Sequence, residues 1–306
     1  MTYREYPVFF PSGPERLCGV VCVPDGGDGS LGVVLLTGHR ARTHRNQMFV
    51  RLARELAARG VPSLRFDYRG VGDSTGTLRI DLATPSPDDA EAAVGFLRAA
   101  TGVAGVALVS TCFGGAGSVI AAARHRDVKA IVAFSMPILL PHRRGRRPPR
   151  KRAKRWLRRA LPWKAILRAP GIHRLRGRGA ARGGDQTHVS PAFARSLAAL
   201  LHRGVAARFI FGERSHYLEG IRRAVAELEP SLSAEERGRV RLDVVRDAEL
   251  HRFKSIDEQD LLVREALEAV DELRVAGRPL PAPEIVEVVR PAREGQLVGR
   301  VTDRER

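Results

Sequence analysis

The chain is poor in several residues that would otherwise decide its class. In 306 residues it carries three cysteines, three methionines and two tryptophans. No apolar run approaches the roughly 20 residues needed to cross a bilayer. Met1 to Phe10 lacks the basic start and long apolar stretch of a secretory signal, so a cytoplasmic protein is expected. Cys18 and Cys22 lie four apart on one strand-like stretch, on the same face but too far along it to bridge. No histidine or further cysteine stands at ligand spacing, so no metal site is expected, and no cofactor either. No internal repeat is present. The hydrophobic content of 43% is that of an ordinary globular protein and excludes disorder throughout.

Acid is missing from one place in particular. From His142 to Arg182, a span of 41 residues, there are 14 arginines and three lysines but no aspartate or glutamate. That span accounts for +17 of the formal net charge of +18; outside it, 35 basic residues face all 34 acidic ones. The basicity therefore belongs to one segment and not to the fold.

The rest of the chain alternates strand and helix patterns. Tyr6 to Phe10 and Leu17 to Val23 read as strands joined through Pro11 to Pro14. Leu31 to Thr37 is a continuous apolar run, as in a strand covered on both faces. Asn46 to Arg59 carries an apolar stripe (Phe49, Leu52, Ala53, Leu56) and stops at Gly60, as an amphipathic helix does. Val61 to Phe66, Pro87 to Ala100 and Val128 to Phe134 continue as strand, helix and strand. After the basic segment come helix Pro191–Leu201, strand Ala207–Phe211, helix Tyr217–Glu229, strand Val240–Val245 and helix Ile256–Leu273. Glu284 to Arg290 is open between strand and loose tail. This alternation predicts a mostly parallel sheet with helices on both faces, whose ligands bind beyond the carboxyl ends of the strands.

At one such end, Val106 to Thr111 runs into Cys112-Phe113-Gly114-Gly115 and then an Ala-rich helix to Arg124. A side chain in so sharp a strand-to-helix turn is pushed out of the sheet, and its neighbours must be small. Ser110-x-Cys112-x-Gly114 has the spacing of a Gly-x-Ser-x-Gly nucleophile elbow, with cysteine at the serine position. Cys112 is either a buried structural thiol or a nucleophile, and a helix N-terminus favours its thiolate. Ser110 is out of register with the glycines.

Three motifs together resemble the α/β-hydrolase superfamily over Leu17 to Leu273, the basic insertion excepted. They are the elbow, the loop Phe66-Asp67-Tyr68-Arg69-Gly70-x-Gly72-x-Ser74, and the late loop Asp247-Ala248-Glu249-Leu250-His251-x-Phe253. The resemblance implies an α/β-hydrolase core at 1–136 and 186–275, an Arg-rich lid insertion at 137–185, and a C-terminal extension at 276–306. It implies Cys112 as nucleophile and His251 as general base. It also implies an oxyanion hole from the backbone N–H of Phe113 and one just after Gly38, at His39 or Arg40. The family's acid position, three residues after Gly212, is Ser215; Glu213 is the candidate acid and Glu219 a more distant one. The Asp67 loop is expected to be architectural, with Ser74 as a cap.

These motifs imply an enzyme that cleaves or transfers an acyl ester or thioester, with a lyase or acyltransferase of biosynthesis as a second reading. A third is a binding protein without catalysis. Trp156, Leu157, Leu161, Trp163, Ile166 and Leu167 give the insertion apolar surface suited to roofing an acyl pocket. Its unopposed charge suits a polyanionic partner, with an acidic acyl-carrier protein or a coenzyme A thioester preferred over nucleic acid or anionic membrane.

Overall fold

The computed structural model describes residues 2–79, 81, 87–141, 186–250, 252–275 and 287–290. His251, the stretch 142–185 and most of the C-terminal extension lie outside the described residues, with the expectations that fall on them. The chain divides into two compact units, residues 1–138 with 189–306, and residues 139–188.

The larger unit opens with an antiparallel hairpin, β1 (Tyr3–Ser12) and β2 (Glu15–Pro24), registered from Tyr3↔Pro24 to Ser12↔Glu15. Its turn is Gly13-Pro14 alone, so Pro11 belongs to β1 and not to the link. Then follow β3 (Leu31–Leu36), α1 (Met48–Ala58), β4 (Ser63–Phe66), α2 (Asp88–Thr101), β5 (Gly105–Thr111), α3 (Phe113–Arg124) and β6 (Val128–Phe134). In the smaller unit β7 (Leu139–Pro141) pairs with β8 (Gln186–Val189). The larger unit resumes with α4 (Pro191–His202), β9 (Ala206–Gly212), α5 (Leu218–Leu228), α6 (Ala234–Arg237), β10 (Val240–Val245), α7 (Ile256–Val275) and β11 (Glu287–Arg290).

Nine strands form one sheet in the order β1-β2-β4-β3-β5-β6-β9-β10-β11. The pairs of β2 are antiparallel; those from β4 to β11 run parallel. The undecided tail resolves as β11, a parallel edge strand from Leu242↔Glu287 to Val245↔Arg290. Side chains alternate in the way a strand's period of two requires. Val33, Leu35, Ala107, Val109, Ala130, Val132 and Phe134 join one apolar cluster with the buried stripes of α1 and α7. The other face carries α2, α3 and α4, whose packing on one another and on β3, β5 and β6 covers it. Two-sided cover explains why β3 and β5 are buried at every residue. Among the described residues no helix is long and apolar enough to cross a membrane.

The Asp67 loop is tied to the scaffold. Asp67 is fully buried; its Oδ1 accepts the Arg42 backbone N–H at 2.5 Å and its Oδ2 pairs with the Arg42 guanidinium. Arg69 forks onto Asp89 (Nε–Oδ1 2.9 Å, Nη2–Oδ1 2.6 Å), which also accepts from Ser12 Oγ at 2.7 Å. Ser74 acts as a bridge and not as a helix cap: its Oγ donates to Asp67 O at 2.7 Å and accepts from Cys18 N at 2.8 Å. Asp67, Cys18 and Asp73 bring three potential metal-ligand atoms within 4.8 Å of one another. The cation there is Arg42, which pairs with both carboxylates.

Asp89→Ala strands the Arg69 guanidinium and should cost about 3 kcal/mol, the scale of breaking a largely buried ion pair. Urea unfolding measures it; adding Arg69→Met should return part of that loss, since the stranded charge leaves with it.

Candidate active site

The parallel strands all end on one edge of the sheet, where the turns after β3 and β5 meet. The tightest of these turns is at Cys112, which caps α3 with φ 50°, ψ −126°, a left-handed-side conformation that a non-glycine residue holds only when its surroundings impose it. Its N–H donates to Phe134 O at 3.1 Å and its carbonyl accepts from Gly115 N at 3.0 Å. The glycines have a steric reason to be there. A Cβ at Gly114 would lie 2.6 Å from Leu36 O, and one at Gly115 would lie 2.6 Å from Met136. From the other side, Gly38 (φ 72°) packs on the same turn, where a Cβ would meet Gly114 N at 2.7 Å. Ser110, where the motif has its first glycine, is sealed at 0% exposure with Oγ 3.1 Å from Ser118 Oγ of α3. Cys112 remains half-buried.

The Cys112 thiol is not held as a thiolate. Burial pushes its pKa up, and the opposing pulls of the Phe113 N–H and the Arg40 cation only reduce the rise. The N–H at the helix N-terminus does favour the thiolate, as expected, but desolvation of the charged form outweighs it. The Phe113 N–H lies close enough to the sulfur to favour its charged form. His39 sets its ring edge-on to Phe113 at 5.4 Å, with its Nδ1 buried and without a hydrogen-bond partner. Burial first, then Arg40, lowers its pKa. Thr37 Oγ1 donates to Arg40 O at 2.5 Å and closes this turn.

The structure adds two residues that sequence reasoning passed over. His44 is buried at φ 58°, with Nε2 3.3 Å from the hydroxyl of Thr111, the residue before Cys112. Its ring stacks on Phe49 at 5.1 Å and meets Phe253 edge-on at 5.9 Å. Burial, then Arg40, Arg45 and His39, lowers its pKa to about 3, so it is neutral. Tyr217, just before α5, is the second. Burial and then the proximity of Cys112 raise its phenol pKa, while Arg252 opposes. No sequence pattern marks either residue: His44 lies in a loop of left-handed residues with Asn46 and Gln47, and Tyr217 resembles any helix start.

The loops that would carry the acid and the base are stitched together. Glu213 N donates to Val245 O at 2.8 Å, Arg214 N to Ala248 O at 3.0 Å, and Asp247 N to Glu213 Oε2 at 3.1 Å. Glu213 is exposed, with its carboxylate turned to the start of the loop on which His251 lies. Ser215, at the family's acid position, is buried, and its Oγ accepts the Tyr217 N–H at 3.3 Å. Glu219 pairs with Arg223 one turn along α5. Asp247, Leu250 and Phe253 all have positive φ, so backbone strain brackets position 251.

Two measurements follow from these shifts. The folded state holds His44 unprotonated down to about pH 3, whereas in the unfolded chain it takes a proton below about pH 6.5. Stability is therefore undiminished above pH 6.5 and falls as the pH drops, with a slope approaching about 1.4 kcal/mol per pH unit. Denaturant unfolding between pH 6.5 and 5 should show that slope in the wild type and lose it in His44→Gln. Separately, alkylation of Cys112 by iodoacetamide should titrate above the roughly 8.5 of a free cysteine, and Arg40→Ala should raise the midpoint further. Cys18 and Cys22 are buried and will not contribute.

The sequence matches the family described as "Serine aminopeptidase, S33" over residues 31–206. No curated protein sequence matches significantly. Among solved structures, the Pyrococcus furiosus esterase PF2001 superposes with a TM-score of 0.58 at 14% identity, covering 88% of this chain and 91% of its own. A putative α/β-hydrolase from Agrobacterium tumefaciens, ATU1826, gives 0.55 at 15%, covering 92% and 100%. Dienelactone hydrolase from Anabaena variabilis gives 0.53 at 17%, covering 88% and 98%. At these identities the structures speak for a shared fold, while the sequence match spans more than half of the chain. The chain belongs to the serine aminopeptidase S33 family of α/β-hydrolases.

Proposed function

We propose that this protein cleaves or transfers acyl esters or thioesters through Cys112. One observation carries the reading: at the strand-to-helix elbow after β5 a half-buried cysteine stands where the motif has serine, while the neighbouring Ser110 is sealed. Cys112 Sγ gives its proton to His251 and attacks the acyl carbonyl. The oxyanion takes hydrogen bonds from Phe113 N–H and from the turn after Gly38, at His39 or Arg40. The leaving alkoxide or thiolate receives the proton from His251. His251 then removes a proton from water, or from an alcohol or amine acceptor, which attacks the acyl-enzyme and releases the product with the thiol restored. Glu213 is the acid that orients His251 in this scheme.

An esterase and a dienelactone hydrolase among the fold's neighbours support ester chemistry. The family's name points instead to aminopeptidases. Against that, the charged side chain acting on Cys112 is the Arg40 cation, and Arg252 acts on Tyr217 beside it. A cationic amino terminus is disfavoured beside such groups, whereas a neutral or anionic acyl donor is welcome. The Arg-rich insertion extends the same preference to the carrier, an acidic acyl-carrier protein or the phosphates of a coenzyme A thioester.

Incubation with a p-nitrophenyl acyl ester, followed by mass spectrometry, should find the acyl group on Cys112. Cys112→Ala should lose turnover, and His251→Ala should lower acylation by at least about 10²-fold, the scale of general-base catalysis. Turnover that persists in Cys112→Ala sinks the nucleophile assignment.

A further inference from the structure

The sheet has a concave site on the edge opposite Cys112. There the first residues of β9 and the last turns of α7 enclose a cavity of about 240 Å³, with Ala130, Val132, Ala207 and Ala269 among its walls. That is about eight water volumes at ~30 Å³ each, room for a ring or short chain but not for a long acyl tail. The floor is apolar, yet Arg208 lines it.

Arg208 is only 6% exposed and lies at the centre of a charge network. Nε donates to Asp243 Oδ2 at 2.6 Å and Nη2 to Glu265 Oε2 at 3.0 Å. Nη1 is buried and makes no hydrogen bond; the nearest carboxylate, Glu272, stands off at 3.5 Å. The one acceptor near the Nη1 protons is thus the Glu272 carboxylate, too far and too poorly aligned for a hydrogen bond, a weaker pairing than the other two nitrogens have. Arg241, also on the lining, has Asp243 at 2.9 Å and Glu272 at 3.7 Å. Glu272 is about half-exposed and bound tightly by neither, so it can turn to solvent.

We propose that this cavity is a binding site for a small amphipathic carboxylate. The head group takes the place of the Glu272 carboxylate between Arg208 Nη1 and Arg241 Nη1, and the apolar body lies on the alanine-lined floor. A planar carboxylate matches the guanidinium fork, and the small hydrophobic volume selects an aromatic or short-chain acid over a bare inorganic anion. Acids of this class are what hydrolysis of an acyl ester releases, so the site is suited to sensing product. Its existence does not depend on the Cys112 chemistry, because binding is read without turnover.

Isothermal titration of the intact protein with benzoate and with hexanoate, at fixed ionic strength, tests the site. One saturable site is expected, with benzyl alcohol binding at least about tenfold more weakly because it lacks the charge-assisted pair. Ala269→Phe fills the cavity and should weaken benzoate about tenfold or more, and Glu272→Gln should tighten it about threefold by removing a competing charge. Should Ala269→Phe fail to fold by circular dichroism, Leu273→Trp at the half-buried rim provides the same block. Benzoate binding that is unchanged by the cavity-filling variant, as it would be if the anion sat on the Arg-rich insertion or beside Cys112, overturns the proposal, and so does equal affinity for benzyl alcohol.

Discussion

The contact between the Gly38 turn and the start of α3 constrains everything at the site. β3 and β5 are hydrogen-bonded neighbours that run in register to Leu36↔Ser110, then both turn sharply within a few residues. The two turns touch through bare backbone, so closely that a methyl group on Gly38 or Gly114 has nowhere to go. Such an approach fixes the amides after Gly38 relative to the Phe113 amide and to the Cys112 sulfur. Preorganised donors need that rigidity, because their value lies in not having to move when charge develops. Met136 behind Gly115 and the Ser110–Ser118 contact beneath hold the same turn from the sheet side. His44 holds it from the other, wedged between Thr111 and Phe253.

Most of this framework was legible in the sequence, for reasons that can be named. Strands buried on both faces must be apolar throughout, so β3, β5 and β6 stand out without any partner in view. The elbow is legible because its sterics demand small residues at fixed offsets, and the Asp67 loop because its Asp, Arg and Ser recur with glycines between them. What was not legible depends on contacts made after folding. β11 is four residues long and exists by pairing with β10. The segment Arg45–Gln47 ahead of α1 has helical composition, yet left-handed Asn46 and Gln47 delay the helix to Met48. The net direction of the Cys112 shift was not legible, because a sequence shows the helix N-terminus but not the depth of burial that opposes it.

Charge is distributed by the same logic. In the core each ion has its partner: Asp67 with Arg42, Asp89 with Arg69, Arg208 with Asp243 and Glu265. Buried charges left unpaired are too costly to keep, and the pairs serve mainly to fix loops in place. Around Cys112 the cation Arg40 acts on the thiol. At the far edge of the sheet Arg208 Nη1 makes no hydrogen bond and has only the half-exposed Glu272 carboxylate, at 3.5 Å.

A thiol with a raised pKa looks at first like a poor choice for a nucleophile. The opposite holds when a base is at hand. Thiolate nucleophilicity rises with thiol pKa, with a Brønsted slope of about 0.4–0.5, so a pKa raised by burial makes a better attacking anion, though a rarer one. The rarity matters only if the anion must exist before substrate arrives. An imidazole that removes the proton as the carbon–sulfur bond forms spares the thiol from having to ionise beforehand, and the higher nucleophilicity offsets part of the remaining cost. The thiol also remains far more acidic than a serine hydroxyl, so the imidazole needs less electrostatic support than a Ser–His pair requires. This accounts for two departures together. The family's acid position is Ser215, turned inward to fasten Tyr217, and the elbow residue is Cys112; under the mechanism proposed above, a thiol at the elbow tolerates the loss of that acid.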